Sequence, residues 1–107
     1  MVYEWRVYEI LPGKMPDIHK RFAEVTLSFF KKHGMEVVGF WEAVIGSSNT
    51  LYYMLKYNDL AHREKAWAAF IADPERQSAF AESEKDGPII ARVHNTILKL
   101  TPYSKPV

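Results

Sequence analysis

The stretch His33–Asp59, HGMEVVGFWEAVIGSSNTLYYMLKYND, decides the fold class of this chain. Two runs rich in β-branched and aromatic residues, Met35–Ile45 and Thr50–Tyr57, flank the four residues Gly46–Asn49. Such residues favour strands, and a connector of about four residues that contains glycine is typical of a hairpin. We therefore predict an antiparallel β-hairpin, in which Gly39 marks a bulge or a close backbone approach.

The segments on either side of the hairpin supply the remaining elements. Alternation with period two predicts a first strand over Val2–Leu11, and apolar residues three and four positions apart predict a first helix over Met15–His33. After the hairpin, Asp59 or Asn58 is suited to cap a helix, and Asp73 followed by proline is suited to start another. The sequence predicts these later elements to be a helix ending near Ala72, a short helix ending near Ser83, a strand over Ile89–Leu100 and a tail over Thr101–Val107.

The order βαββαβ predicts an α+β, ferredoxin-like sandwich with helices on one face of an antiparallel sheet. Both faces of the predicted hairpin strands carry apolar or aromatic residues, which indicates a sheet that is covered on both sides. Large apolar patches mark interfaces, so the simplest way to bury the face without helices is to pack it against a second copy of the chain. We therefore expect residues 1–107 to form a single domain whose sheet closes against a partner's into a dimeric α/β barrel.

The amino-acid composition limits the kinds of function that this chain is expected to have. The chain has 107 residues with six Phe, six Tyr and three Trp, more than one small core needs, which suggests a ligand cavity or a subunit interface. Its formal net charge is only +1 and its charges are interleaved, which argues against nucleic acid or an anionic membrane as a partner. The chain has no cysteine, and its apolar start carries Glu4 and Arg6, so we expect neither disulfides nor a signal peptide, and a cytoplasmic location.

Three residues of the first strand are the best candidates for chemistry. Glu4, Arg6 and Tyr8 share one face, with about 7 Å between successive side chains. If that face lines the barrel, Arg6 can bind a carboxylate or an enolate, with Glu4 as its partner and Tyr8 as a hydrogen-bond donor. A purely structural ion pair is the more common role for such residues, since a buried charge persists only when it is paired.

Aromatic and histidine residues give weaker signals. Trp41, with Tyr53 across the hairpin, can form the wall of a ligand pocket, although core packing is the more common role. His94 shares a strand face with Arg92 and Thr96, which makes it a candidate base, although a structural or surface histidine is the more common role. The histidine spacings match no metal motif, and there is no glycine-rich phosphate loop, so we expect no metal and no cofactor.

Several motifs together resemble the NIPSNAP family. They run in family order over nearly the whole chain and read YEWRVYEILPGK, KKHGMEVVGFWEAVIGSSN, LKYNDLAHREKAW, DPERQSAF and VHNTILKLTPYS. The resemblance implies a dimeric α/β barrel. Leu55 and Arg76 depart from the family pattern, in which tryptophan is frequent at both positions. Related barrels include cofactor-free monooxygenases, a likeness at the level of fold only.

Three functions remain open at the level of sequence. The first is a homodimeric barrel that binds a small aromatic or carboxylate-bearing molecule, with Arg6, Tyr8 and Trp41 lining the cavity. The second is a cofactor-independent oxygenase or isomerase, in which His94 is the base and Arg6 stabilises the anion. The third is an interaction or scaffold module whose barrel serves only for dimerisation.

Overall fold

The computed structural model describes residues 1–107 and contains the predicted elements in the predicted order. It is an α+β, ferredoxin-like sandwich in which helices pack on one face of a four-stranded antiparallel sheet. The strands are β1 (Val2–Ile10), β2 (Glu36–Glu42), β3 (Thr50–Tyr57) and β4 (Ile90–Leu98). The helices are α1 (Met15–Arg21), α2 (Leu27–Lys32), α3 (Leu60–Ala72) and α4 (Pro74–Ser83), and a π-helical turn (Phe22–Thr26) joins α1 to α2.

The strands lie in the order β2-β3-β1-β4, so β1 is central and pairs with β3 on one side and β4 on the other. Arg6 lies opposite Tyr53 in one pairing and opposite Asn95 in the other. The pairing of β2 with β3 shifts register next to Gly39, which confirms the predicted irregularity. A Cβ at Gly39 would lie 2.9 Å from the ring of Trp41, so this glycine also allows a close approach.

The first helix and the hairpin differ from the prediction. The predicted helix over Met15–His33 is interrupted by the π-helical turn, which keeps the chain helical but shifts its hydrogen bonds. Strand β2 ends at Glu42, not at Ile45, and Val44 and Ile45 are 100% and 95% exposed in a connection longer than four residues. At the far end of this connection, the amide of Ile10 donates to the carbonyl of Asn49, which continues the pairing of β1 with β3 by one residue.

Two aspartates cap the later helices as predicted. Asp59 accepts a hydrogen bond from the amide of His62 at the start of α3, and Asp73 accepts from the amide of Glu75 at the start of α4. Asp73 also binds Lys32 and His33 at 2.8 and 2.7 Å, which ties the end of α2 to the start of α4. The hydrogen bond from Lys32 is the main reason why the pKa of Asp73 lies well below its usual range.

The two faces of the sheet have different environments. The core lies between the sheet and the helices, and its largest buried side chains include Tyr53, Tyr57, Phe30, Ile18 and Leu55. The other face, which we call the open face, carries Trp5, Val7, Trp41, Tyr52 and Met54, all at least partly exposed. No helix is both long enough and apolar enough to cross a membrane.

The two caps allow a matched comparison. We expect Asp59→Ala to lower the free energy of unfolding by about 1 kcal/mol, the usual loss for a helix cap. Asp73→Ala removes a cap and also the contacts to Lys32 and His33, so its loss should be roughly twice as large or more. Urea denaturation of both variants measures the difference. Equal losses would contradict a linking role for Asp73.

Candidate functional site

Glu4 is a carboxylate with no exposed surface on the helix-facing side of β1. Alternate residues of a strand face the same side, so Glu4, Arg6 and Tyr8 all point toward the helices. The two oxygens of Glu4 accept hydrogen bonds from five side chains, which belong to Arg6, Arg63, Tyr57, Trp67 and Asn95. These donors come from three strands and one helix, so Glu4 joins β1, β3, β4 and α3.

The hydrogen bonds keep Glu4 ionised. Burial by itself raises the pKa of a carboxyl group, but the hydrogen bonds from Arg63, Tyr57 and Asn95 outweigh burial here. The nearby charge of Arg6 adds to them, and together they lower the pKa of Glu4 to about 2. A buried ion of this kind is stable only while its partners are present.

Arg6 is held by three contacts. Its Nε donates to the hydroxyl of Tyr53 at 2.6 Å, and its Nη1 donates to Glu4 at 2.9 Å. Its guanidinium carbon lies 4.6 Å from the ring centroid of Trp67, a distance that allows a cation–π interaction. The side chain keeps 12% of its surface exposed, and no protein group accepts a hydrogen bond from Nη2.

Arg63 lies one turn before Trp67 on α3 and completes the site. Its Nε and Nη2 donate to the two oxygens of Glu4 at 3.1 and 3.0 Å, a two-point contact. Both arginines line a cleft of about 500 Å³ whose other lining residues are Glu64, Trp67, Ala68 and Ile71. We call it the arginine cleft. It combines two cations with an indole ring and an apolar wall, a combination suited to an organic anion.

The structure brings four of the five predicted binding residues together. Glu4, Arg6 and Tyr53 are directly hydrogen-bonded, and the hydroxyl of Tyr8 lies 2.8 Å from that of Tyr53. Trp41 is the exception, because it lies on the open face, with its ring 5.9 Å from that of Trp5. The expectation that Trp41 shares a cavity with Arg6 and Tyr8 is therefore wrong for a single chain.

His94 is also on the other side of the sheet. It lies opposite Val7 in the pairing of β1 with β4, and its ring is hydrogen-bonded to the side chain of Glu9. Since Arg6 and Val7 are consecutive in a strand, their side chains point to opposite faces. The hypothesis of one substrate held between His94 and Arg6 is not supported by this arrangement, because the sheet separates the two.

The sequence analysis did not identify Arg63, Tyr57, Asn95 or Trp67 as residues of the site. Arg63 and Trp67 are four residues apart and therefore lie on one face of α3. Because a tryptophan in an amphipathic helix usually packs against the sheet, this spacing could have predicted that Arg63 also faces the sheet. Asn95 carries no signal of its own. Its role depends on the register that places it opposite Arg6.

Comparison with known proteins identifies the family. The NIPSNAP family model matches residues 3–105. The chain belongs to the NIPSNAP family. Among curated NIPSNAP relatives, Protein NipSnap homolog 3A of Homo sapiens is 34% identical over 79 residues, which make up 73% of this chain and 31% of that protein. The chain thus matches less than a third of the length of this relative.

Solved NIPSNAP structures share the fold. A NIPSNAP family protein of unknown function from Agrobacterium tumefaciens is 29% identical, with a TM-score of 0.85 over 97% of this chain and 91% of that one. An uncharacterized NIPSNAP-like domain protein from Burkholderia xenovorans is 24% identical, with a TM-score of 0.86 over 99% of this chain and 90% of that one. These NIPSNAP neighbours therefore agree with the fold and leave the activity open.

The lowered pKa of Glu4 predicts a specific pH dependence. Its pKa falls from an ordinary 4.5 to about 2 on folding, so ionised Glu4 stabilises the fold above about pH 4.5, and this contribution disappears as the pH falls toward 2. We expect Glu4→Gln to lower the free energy of unfolding at pH 7 by on the order of 3 kcal/mol. The difference from wild type should shrink steadily below pH 4.5.

Urea denaturation at several pH values measures this difference. Glu36→Gln is the matched control, since Glu36 is an exposed glutamate paired with Lys56, and it should behave like wild type at every pH. A Glu4→Gln loss that does not change between pH 7 and pH 3 would show that the charge of Glu4 does not stabilise the fold.

Proposed function

We propose that this NIPSNAP chain is a homodimer that binds a small aromatic carboxylate in the arginine cleft. The observation that carries the proposal is the pair of guanidinium groups, Arg6 and Arg63, that line one cleft and are held in place by a buried carboxylate. The cleft is open to solvent, and its volume of about 500 Å³ lies within the range of small-molecule sites.

The charge balance favours an anionic ligand. Glu4 carries one negative charge, which a single arginine neutralises, so the second arginine leaves a surplus positive charge at the cleft. Glu64 also contacts Arg63, but 74% of its side-chain surface is exposed, and such ion pairs are weak because water screens them. One arginine is enough to form an ion pair with Glu4, so the second arginine can pair with the carboxylate of a ligand.

The donors are ordered before any ligand arrives. Arg6 is fixed by Tyr53, Glu4 and Trp67, so binding through its Nη2 costs little additional side-chain entropy. Guanidinium groups bind carboxylates through paired N–H donors, which gives direction as well as charge. The cleft therefore provides a preorganised anion site.

The wall of the cleft favours an aromatic or apolar body on the ligand. Trp67, Ala68 and Ile71 form one side, and Ile71 is 57% exposed although it is apolar. Val93 and Ile97 of β4 lie on the same side of the sheet as Arg6 and are 42% and 39% exposed. Covering this apolar surface would add to the affinity that the charge supplies.

The open face supports the homodimer. Trp5 lies 5.9 Å from Trp41 and 5.8 Å from Tyr52, so three aromatic rings form one surface that the helices do not cover. Trp41 is 47% exposed and Leu98 is 40% exposed. An apolar patch of this kind is typical of an interface, and two such sheets packed face to face close into a barrel.

Benzoate and its neutral analogue benzamide provide the first test. We expect benzoate to shift the backbone amide signals of β1 and α3 in a two-dimensional NMR titration, and benzamide to bind about tenfold more weakly or not at all. Arg6→Gln should weaken benzoate binding by about tenfold or more, because it removes a charged donor.

Arg92→Gln is the control, since Arg92 pairs with Glu9 on the open face and lies away from the cleft. It should bind benzoate as wild type does. Equal affinities for benzoate and benzamide, or equal effects of the two arginine variants, would overturn the proposed site.

The dimer has a separate test. We expect wild type to show twice the chain mass in size-exclusion chromatography with light scattering, and Tyr52→Lys to show the mass of one chain, because a buried lysine at the interface lacks a partner. Leu60→Lys is the control, as Leu60 is 54% exposed on α3, and it should remain dimeric. A wild type with the mass of one chain would contradict the barrel.

A further inference from the structure

A small cavity lies inside the core, next to the arginine cleft. Its volume is about 30 Å³, and Trp67 forms part of the wall of both spaces. The indole N–H of Trp67 already donates to Tyr57, and the other lining residues with polar side-chain atoms are Tyr8, Arg21 and Thr26. These three residues are between 4% and 8% exposed, so bulk water does not reach most of their surface.

Two of these polar residues have an unsatisfied buried atom. The hydroxyl of Thr26 and the Nε of Arg21 have no hydrogen-bond partner within the protein. A threonine in a helix can bond to the carbonyl three or four residues earlier. Thr26 is the last residue of the π-helical turn and makes no such bond. Buried polar groups without partners are rare because they lose their hydration without compensation.

The tyrosine pair points to the same cavity. The Nε of Arg6 can only donate, and it donates to the hydroxyl of Tyr53, which in turn lies 2.8 Å from the hydroxyl of Tyr8. Three protons are thus available for two contacts, so one tyrosine proton has no acceptor in the protein. Tyr8 lines the cavity whereas Tyr53 does not, so if Tyr53 donates to Tyr8, the surplus proton belongs to the residue at the cavity.

We propose that this cavity binds one water molecule, which accepts hydrogen bonds from Tyr8 and Arg21 and donates one to Thr26. A water needs about 10–15 Å³ of accessible volume and two to four polar partners, and the cavity offers both. The water would extend the chain of hydrogen bonds from Arg6 through Tyr53 and Tyr8 to the π-helical turn. The arginine cleft and the π-helical turn between α1 and α2 would then be linked by one network of hydrogen bonds.

Thr26→Val tests the proposal because valine has the same shape and lacks the hydroxyl. If a water binds Thr26, the variant loses a satisfied hydrogen bond, and we expect its melting temperature to fall by about 4 °C or more. Thr50→Val calibrates the loss, since Thr50 is a buried residue whose hydroxyl donates to the carbonyl of Ser48 at 3.1 Å. An unchanged or higher melting temperature for Thr26→Val would overturn the proposal.

A double-mutant cycle gives an independent measurement. Tyr8 and Thr26 are not hydrogen-bonded to each other, so their coupling through a shared water is the quantity of interest. We expect the loss in Thr26→Val combined with Tyr8→Phe to be smaller than the sum of the single losses, since the first change already removes the water. Additive losses would show that no water links the two hydroxyls, and this result leaves ligand binding in the cleft untouched.

Discussion

An ionised carboxylate in the interior is the constraint on which this molecule depends. Glu4 has no exposed surface, so its charge is tolerated only because donors converge on it from β1, β3, β4 and α3. Arg63 fixes α3 over the sheet, and Asn95 fixes the register of the edge strand β4. One polar cluster therefore positions a helix and three strands, and the same requirement for positive partners places two arginines at the rim of a cleft.

Much of the fold can be read from the sequence because it follows from local patterns. Period-two alternation identifies the strands, aspartates mark the helix starts, and Gly39 marks the register shift of β2. The π-helical turn leaves no such trace, because one widened turn changes neither the residue types nor the apolar stripe. The early end of β2 at Glu42 also leaves no local trace, because Val44 and Ile45, which follow it, are β-branched residues typical of a strand.

The candidate site could also be predicted only in part, because the sequence reveals local patterns but not long-range contacts. Glu4, Arg6 and Tyr8 lie on one strand, so their common face follows from spacing alone. Arg63 is 59 residues from Glu4 along the chain, and its role depends on how α3 docks on the sheet. The separation of His94 from Arg6 needs the register of β4 against β1, which no local pattern supplies. NIPSNAP membership agrees with the fold and does not identify these partners.

The three tryptophans, which dominate the intrinsic fluorescence of the protein, lie in two different environments. The rings of Trp5 and Trp41 lie 5.9 Å apart on the open face, close enough for their electronic transitions to couple and to contribute to the circular dichroism of the protein. Trp67 stands apart from them, with Arg6 above its ring and its indole N–H bonded to Tyr57. Dimer contacts on the open face would therefore change the environment of Trp5 and Trp41, whereas ligand binding in the arginine cleft would change that of Trp67. Spectra of the unlabelled protein can thus distinguish the two processes.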